Sequence, residues 1–133
     1  MALDPQFYAS RGCVVGQIST ANTNRDGTGT GPATAILSGG TNGSRVERIW
    51  VKATATTTAG MVRIYLWDGS GTDAKLLDEF AVTAITASAS VETWEDGKTY
   101  GDTAPITVPS GSSITASTHN AETFNVFVEY GSY

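Results

Sequence analysis

Hydrophobic and polar residues alternate with a period of two in several segments of this chain, which is typical of strands with one buried face. The alternation is clearest in RVERIWVKA, Arg45 to Ala53, and in MVRIYLWD, Met61 to Asp68. Apolar residues nowhere recur at i, i+3, i+4 and i+7 over helical length, so no long helix is expected. Shorter strand-like runs are CVVGQIST, ATAIL, KLLDEFAVT, ITV, SSITAST and FNVFVEY.

Residues that favour turns separate these runs. About eight short strands in one small chain predict an all-β protein, a single-domain antiparallel β-sandwich that is jelly-roll-like. Residues 13–133 are expected to form this domain, and residues 1–12 an extended N-terminal arm that carries Phe7 and Tyr8. EDGKTYGDTAP, Glu95 to Pro105, is predicted to be a loop. VPSG is predicted to be a tight turn, because Pro109 presets φ and Gly111 permits positive φ.

The two best alternating segments are expected to pair as a hairpin, with Ile49 opposite Leu66, Val51 opposite Ile64 and Ala53 opposite Val62. Directly opposed residues of an antiparallel pair point to the same face, so this aliphatic side is the predicted core face. Two interpretations fit the other face. It is an ordinary sheet surface, whose side chains stack on one another or are covered by the N-terminal arm, or it is a contact surface, because Trp, Tyr and Arg anchor interfaces. Its residues are Arg48, Trp50, Lys52, Arg63, Tyr65 and Trp67, with Trp94 and Tyr133 as further candidates.

The last two runs are expected to form a second hairpin. Opposing Ile114 to Val126 and Ala116 to Phe124 centres the turn on Asn120, which tolerates the left-handed conformation that such loops require. His119, the only histidine of the chain, is then predicted to lie in solvent at the tip.

The composition narrows the classes of partner. The chain has 133 residues and a formal charge of -5, with a pI near 4.6. One domain is the natural unit at this length, and nucleic acid is not expected as a partner because it is bound chiefly by clustered Lys and Arg. No apolar run is long enough to cross a membrane and no basic leader precedes an apolar stretch. We therefore expect a soluble chain made in the cytoplasm, with no membrane partner.

Several motifs match parts of a metal site, a phosphate-binding loop or a catalytic pair. Asn22, Asn24 and Asp26 match the first half of a calcium loop, but Ala33 stands where the bidentate Glu belongs. Gly27, Gly29 and Gly31 precede a strand and not the helix that a phosphate loop requires. The lone Cys13 is expected to be a buried structural thiol, and nothing in the pattern brings it to His119. The sequence thus predicts no metal, no cofactor and no enzyme.

Three segments carry a family resemblance: QISTANTNRDGTG, NGSRVERIWVKATATTTAGMVRIYLWDG and VPSGSSITASTHNAETFNVFVEYG. Together they cover about half the chain, and they resemble small β-rich virion structural proteins of tailed bacteriophages. The resemblance implies a capsid decoration, or cement, protein that binds the exterior of the assembled head as a dimer or trimer. Its partner would be the major capsid protein and its location the virion. The candidate interface residues are Phe7, Tyr8, Arg48, Trp50, Arg63, Tyr65 and Trp67.

Two alternatives remain open at this point. Another virion component, such as a head fibre base, a neck protein or a tail protein, would share the same resemblance. A carbohydrate-binding module would instead use Trp50, Tyr65 and Trp67 as a platform that stacks on sugar rings.

Overall fold

The computed structural model describes residues 10–29, 34–70, 74–101 and 104–133, and every regular element in these ranges is a β-strand. This described part of the chain contains no helix that could span a membrane. The predicted arm residues Phe7 and Tyr8 lie outside the described ranges. The strands are β1 (Ser10–Ile18), β2 (Thr34–Ser38), β3 (Ser44–Ala53), β4 (Gly60–Trp67), β5 (Ala74–Val82), β6 (Glu95–Thr99), β7 (Ile106–Val108), β8 (Ser113–Thr118) and β9 (Phe124–Ser132).

The strands form two antiparallel sheets that pack face to face. Sheet I has the order β1-β9-β3-β6, with β7 also paired to β3, and sheet II has the order β2-β8-β4-β5. Because β6 and β7 pair with successive parts of β3, they act as one interrupted strand. The pairs β4–β5, β3–β6/β7, β2–β8 and β1–β9 are then nested, as in one long hairpin rolled into two sheets. This is a jelly roll, and the predicted β-sandwich is confirmed.

The core lies between the sheets and is made by the inward positions of the alternating strands. Val126 and Val128 of β9 and Ile64 of β4 are fully buried, as their alternation predicts. Trp94, which follows the irregular residues 83–93, also lies in the core, where its ring meets Phe124 edge-on at 5.8 Å. It therefore does not extend an outer aromatic face.

The predicted pairing of β3 with β4 is wrong. The inward faces are as expected, since Ile49, Val51 and Val62 are buried, but β3 belongs to sheet I and β4 to sheet II. The segment between them crosses from one sheet to the other instead of closing a hairpin. Alternation fixes which side of a strand is apolar, and two facing sheets satisfy that condition as well as one hairpin does.

The predicted final hairpin is wrong for the same reason. β8 pairs with β4 and β2, whereas β9 pairs with β3 and β1. Asn120 lies in the crossing segment, and its side-chain amide donates to Thr58 Oγ1 at 2.9 Å and to the Ala59 carbonyl at 3.1 Å. Within the described ranges only glycines have positive φ, so Asn120 is not left-handed. His119 is partly buried, not a solvent-exposed tip.

The structure also differs from the sequence prediction in several local features. Glu95–Thr99, expected to be a loop, is strand β6. β1 begins at Ser10, within the predicted arm, and Cys13 is exposed on its outer side instead of buried. A bulge in β5 beside Tyr65 leaves Leu77 without an opposed residue, which explains the break in the alternation of that segment. A tight turn is present with Gly111 at φ 85°, as predicted, but it begins at Pro109, one residue later than expected, because the Ser112 backbone N–H donates to the Pro109 carbonyl at 3.0 Å.

Candidate interaction surface

Trp50 is the centre of an aromatic and cationic group on the outer face of sheet I. It stands on β3 opposite Phe127 of β9, and the two rings stack at 4.6 Å between centroids and 12° between planes. The Arg48 guanidinium lies 4.4 Å from the centroid of the Trp50 ring, a cation–π distance. These three residues, which we call the outer aromatic cluster, come from alternate positions of two central strands, so the sheet holds them in place.

An open recess of about 460 Å³ adjoins the outer aromatic cluster. Gly97 of β6 lies directly opposite Trp50, and a Cβ at this glycine would come within 3.0 Å of the Trp50 Cβ. The glycine therefore leaves the space that a side chain would fill. The lining residues are Arg48, Trp50, Glu95, Asp96 and Gly97.

Acidic side chains form the rim of this surface. Glu129 Oε1 lies 3.9 Å from Arg48 Nη1, and Glu95 Oε2 lies 3.8 Å from Lys52 Nζ. All four side chains keep about a third or more of their area exposed, so water screens these pairs and each contributes little to stability. The arrangement offers a partner an apolar centre with charged groups around it, which is the usual anatomy of a protein interface.

Arg63 and Tyr65 lie on the opposite side of the molecule, on the outer face of sheet II, and both are buried. Residues 19–29, which follow β1, cover them. The Arg63 guanidinium donates from Nη1 to the Asn22 carbonyl at 3.1 Å, and the Tyr65 hydroxyl donates to the Asn24 carbonyl at 2.8 Å. We call residues 19–29 the cover segment.

Two further groups complete the surroundings of Arg63. Its Nη2 lies 3.4 Å from Nδ1 of His119, which must accept in this contact because a guanidinium has only donors. Its Nε lies 3.7 Å from Oε1 of Glu79 on β5. The same carboxylate accepts from Arg25 Nε at 2.5 Å, and this hydrogen bond raises the pKa of Arg25. Arg63 is therefore a structural cation that holds the cover segment in place, and at 2% exposure it offers a partner almost no surface.

The predicted contact surface is thus divided. Arg48 and Trp50 face outward from sheet I, whereas Arg63, Tyr65 and Trp67 belong to the outer side of sheet II, and two of these three are buried. The division follows from the assignment of β3 and β4 to different sheets. The carbohydrate platform of Trp50, Tyr65 and Trp67 is consequently not formed.

Side-chain oxygens of two of the three calcium-like motif residues accept hydrogen bonds within the cover segment. Asn22 Oδ1 accepts from the Asn24 backbone, and Asp26 Oδ1 accepts from the backbone and the hydroxyl of Thr28. The Thr28 hydroxyl bond, with the backbone bond, lowers the pKa of Asp26. Among the residues that the structure describes, no group of three or more His, Cys, Asp and Glu is placed to hold a metal ion.

A third polar cluster, which the sequence did not predict, closes the edge between β5 and β6. Lys98 Nζ donates to Asp78 Oδ1 at 2.5 Å and to the Glu79 carbonyl at 2.8 Å, and the Tyr100 hydroxyl donates to Asp78 Oδ2 at 2.6 Å. Burial alone would raise the pKa of Asp78, but the bonds from Lys98, Tyr100 and the Glu79 backbone lower it overall. Burial and the Asp78 carboxylate raise the pKa of Tyr100. The sequence contains one indication of this cluster, since Asp78 continues the inward alternation of Phe80 and Val82.

Of the predicted candidates, Arg48 and Trp50 are the residues that the described structure presents at an accessible surface with a shared geometry. A scan against protein-family models finds no match for the chain, and a search of the curated proteins returns no relative.

Proposed function

We propose that this protein is a capsid decoration protein of a tailed bacteriophage, which binds the outside of the assembled head and stabilises it by protein–protein contacts. The observation that carries the proposal is the outer aromatic cluster of Arg48, Trp50 and Phe127 beside an open recess. The resemblance of three segments to virion structural proteins supplies the class of partner, the major capsid protein.

The chemistry of the cluster suits such a contact. Trp and Arg are the residues that contribute most to binding energy at interfaces, and here the sheet already holds their side chains in contact with each other. Little side-chain entropy remains to be lost when a partner covers them, which favours affinity.

The charges around the cluster indicate what the partner surface carries. Glu95, Asp96 and Glu129 border the apolar centre, and the whole chain has a formal charge of -5. A complementary capsid surface would present Lys or Arg at the rim and an apolar side chain at the recess. Binding should therefore weaken as salt rises, because rim charges are screened.

The test is co-sedimentation of the purified protein with heads of the cognate phage that lack it. Trp50→Ala should weaken binding at least 10-fold, because it removes the anchor and leaves the sheet intact. Leu76→Ala is the matched control, since Leu76 is an exposed apolar residue of sheet II, and it should bind as the wild type does. Thermal unfolding of both variants checks the fold.

Equal binding by the folded Trp50→Ala variant would contradict a role for the cluster. Counting copies per particle separates decoration from the alternatives, because a decoration protein is present in hundreds of copies whereas a neck or tail component is present in few.

A further inference from the structure

Within the described ranges the two sheets have four edges, and three of these edges are interrupted. The pairing of β2 with β8 shifts between Ala35 and Leu37. β5 contains the bulge beside Tyr65 and carries Asp78 and Glu79. The edge beside β3 is divided between β6 and β7, and β6 includes Glu95, Asp96 and Lys98. Bulges, charges and short strands are the usual means by which proteins prevent a sheet edge from pairing with another chain.

β1 is the exception among these edges. It pairs with β9 over all nine residues, Ser10 to Ile18, without a register shift. Its sequence SRGCVVGQI has no Pro, Lys, Asp or Glu. No strand within the described ranges pairs with its other side. On its outer surface Val15 is 57% exposed and Cys13 is exposed beside it.

We propose that β1 pairs with β1 of a second copy of this chain, antiparallel and about a two-fold axis at Val14. This register sets Cys13 opposite Val15 of the second copy, Gly12 opposite Gly16, and Arg11 opposite Gln17. The two four-stranded paths of sheet I would join into one continuous sheet.

The residues of β1 fit a second copy because they are nearly symmetric about Val14. Glycines lie two positions away on either side, and small apolar side chains lie one position away. The single charge, Arg11, meets an amide and not another cation, so pairing brings no like charges face to face. The exposed Val15 and Cys13 of each copy would form one apolar stripe across the junction, which removes apolar area from water.

This dimer does not depend on the proposed function, although it has a consequence for it. A two-fold axis perpendicular to a sheet keeps the same face of both copies on the same side. Both outer aromatic clusters would therefore point toward one partner surface, and two weak contacts would act together.

Sedimentation velocity of the reduced 133-residue protein at 1 to 100 µM tests the pairing. This range suits an interface below about 1,200 Å². The wild type should show a dimer whose fraction rises with concentration. Val15→Lys should raise the dissociation constant at least 10-fold, because a cation at an edge opposes strand pairing. Val91→Lys is the matched control, since Val91 is also exposed, at 47%, but lies away from β1.

Cross-linking tests the register. In Val15→Cys, each new thiol would lie opposite the native Cys13 of the other copy, so mild copper–phenanthroline oxidation should convert most of the protein to a covalent dimer. Val91→Cys, which keeps Cys13, should cross-link at least 10-fold more slowly. A wild type that is monomeric throughout the concentration range would overturn the proposal, and so would equal cross-linking rates in the two cysteine variants.

Discussion

Arg63 shows how a single residue can organise a surface without being exposed. Its side chain is only 2% exposed, and its contacts come from the cover segment, from β5 and from His119 in the crossing segment after β8. A buried cation gains little net stability from an ion pair because it loses its hydration. The role of Arg63 is instead to fix positions, since three separate segments must meet at its guanidinium.

Replacing Arg63 by Met should lower the free energy of unfolding by about 1–3 kcal/mol, because the buried Asn22 carbonyl loses the Arg63 donor and the cover segment loses its anchor. Arg25→Met is the matched control, since Arg25 bonds to the same Glu79 carboxylate but is 57% exposed. Its loss should be clearly smaller than that of Arg63→Met, because water screens an exposed ion pair. Urea unfolding measures both, and equal losses would show that Arg63 does not anchor the cover segment.

Among the larger elements, the cover segment is the clearest case of a connection with a structural role. It lies against the outer face of sheet II, where the Asn22 backbone N–H donates to the Thr118 carbonyl at 2.8 Å. Gly27 allows it to come this close. It has φ 82°, and a Cβ there would lie 1.7 Å from the Ala74 carbonyl oxygen.

Gly27→Ala should therefore destabilise the protein by about 2–5 kcal/mol, because it combines a left-handed alanine with a steric overlap against backbone. Gly111→Ala separates the two effects. Gly111 has φ 85° with nothing within 4 Å of a built Cβ, so only the conformational cost of about 1–2 kcal/mol applies. Urea unfolding of the two variants measures both losses of unfolding free energy. A loss for Gly27→Ala no larger than that for Gly111→Ala would show that the cover segment can move away from Ala74 without loss of stability.

The strands illustrate what alternation does and does not determine. It correctly predicted the inward residues of β9 and β4, because side chains alternate across a strand whatever its neighbours are. Alternation did not predict which strands pair, since β3 pairs with β9, whose residues lie more than 70 positions later in the chain. β6 was missed because EDGKT has little β-propensity by itself, and its pairing with β3 supplies what the sequence lacks.

At the scale of the whole molecule, the two sheets must be held together where the sandwich is open. Between β5 and β6 this is done by polar contacts, with Lys98 of sheet I bonded to Asp78 of sheet II. The Lys98 ammonium also lies 4.9 Å from the centre of the Phe80 ring. The cluster joins a charge pair to the edge of the apolar core.

The lowered pKa of Asp78 makes this polar contact between the two sheets pH-dependent. Its ionised form is favoured in the folded state, so its contribution to stability is complete above the unfolded value of 3.8 and is lost as pH falls through the lower folded pKa. Asp78→Asn should be less stable than the wild type at pH 7, and the gap should close as pH falls below 3.8. Urea unfolding from pH 2 to 7 measures it. Lys98→Met, which removes the other partner, should show the same pH window, and a gap constant with pH would argue against the pair.

The division of the candidate site also belongs to this scale. The sequence correctly predicted that Trp50 and Arg48 face away from the core, because the alternation of β3 shows which residues point outward. It placed Arg63 and Tyr65 beside them, because the sheet to which a strand belongs depends on the nested pairing of the whole chain. The burial of these two residues depends further on the cover segment, whose NTNRDGTG sequence has no apolar residue to indicate that it packs on anything.

The placement of the three tryptophans gives the molecule its own optical probes. Trp50 is at the candidate interaction surface, Trp94 is in the core, and Trp67 is on the outer side of sheet II. Fluorescence from each can be isolated by changing the other two to Phe. Emission of Trp94 then follows unfolding, and emission of Trp50 would report a partner bound at the proposed surface, so the two processes can be observed separately in one unlabelled protein.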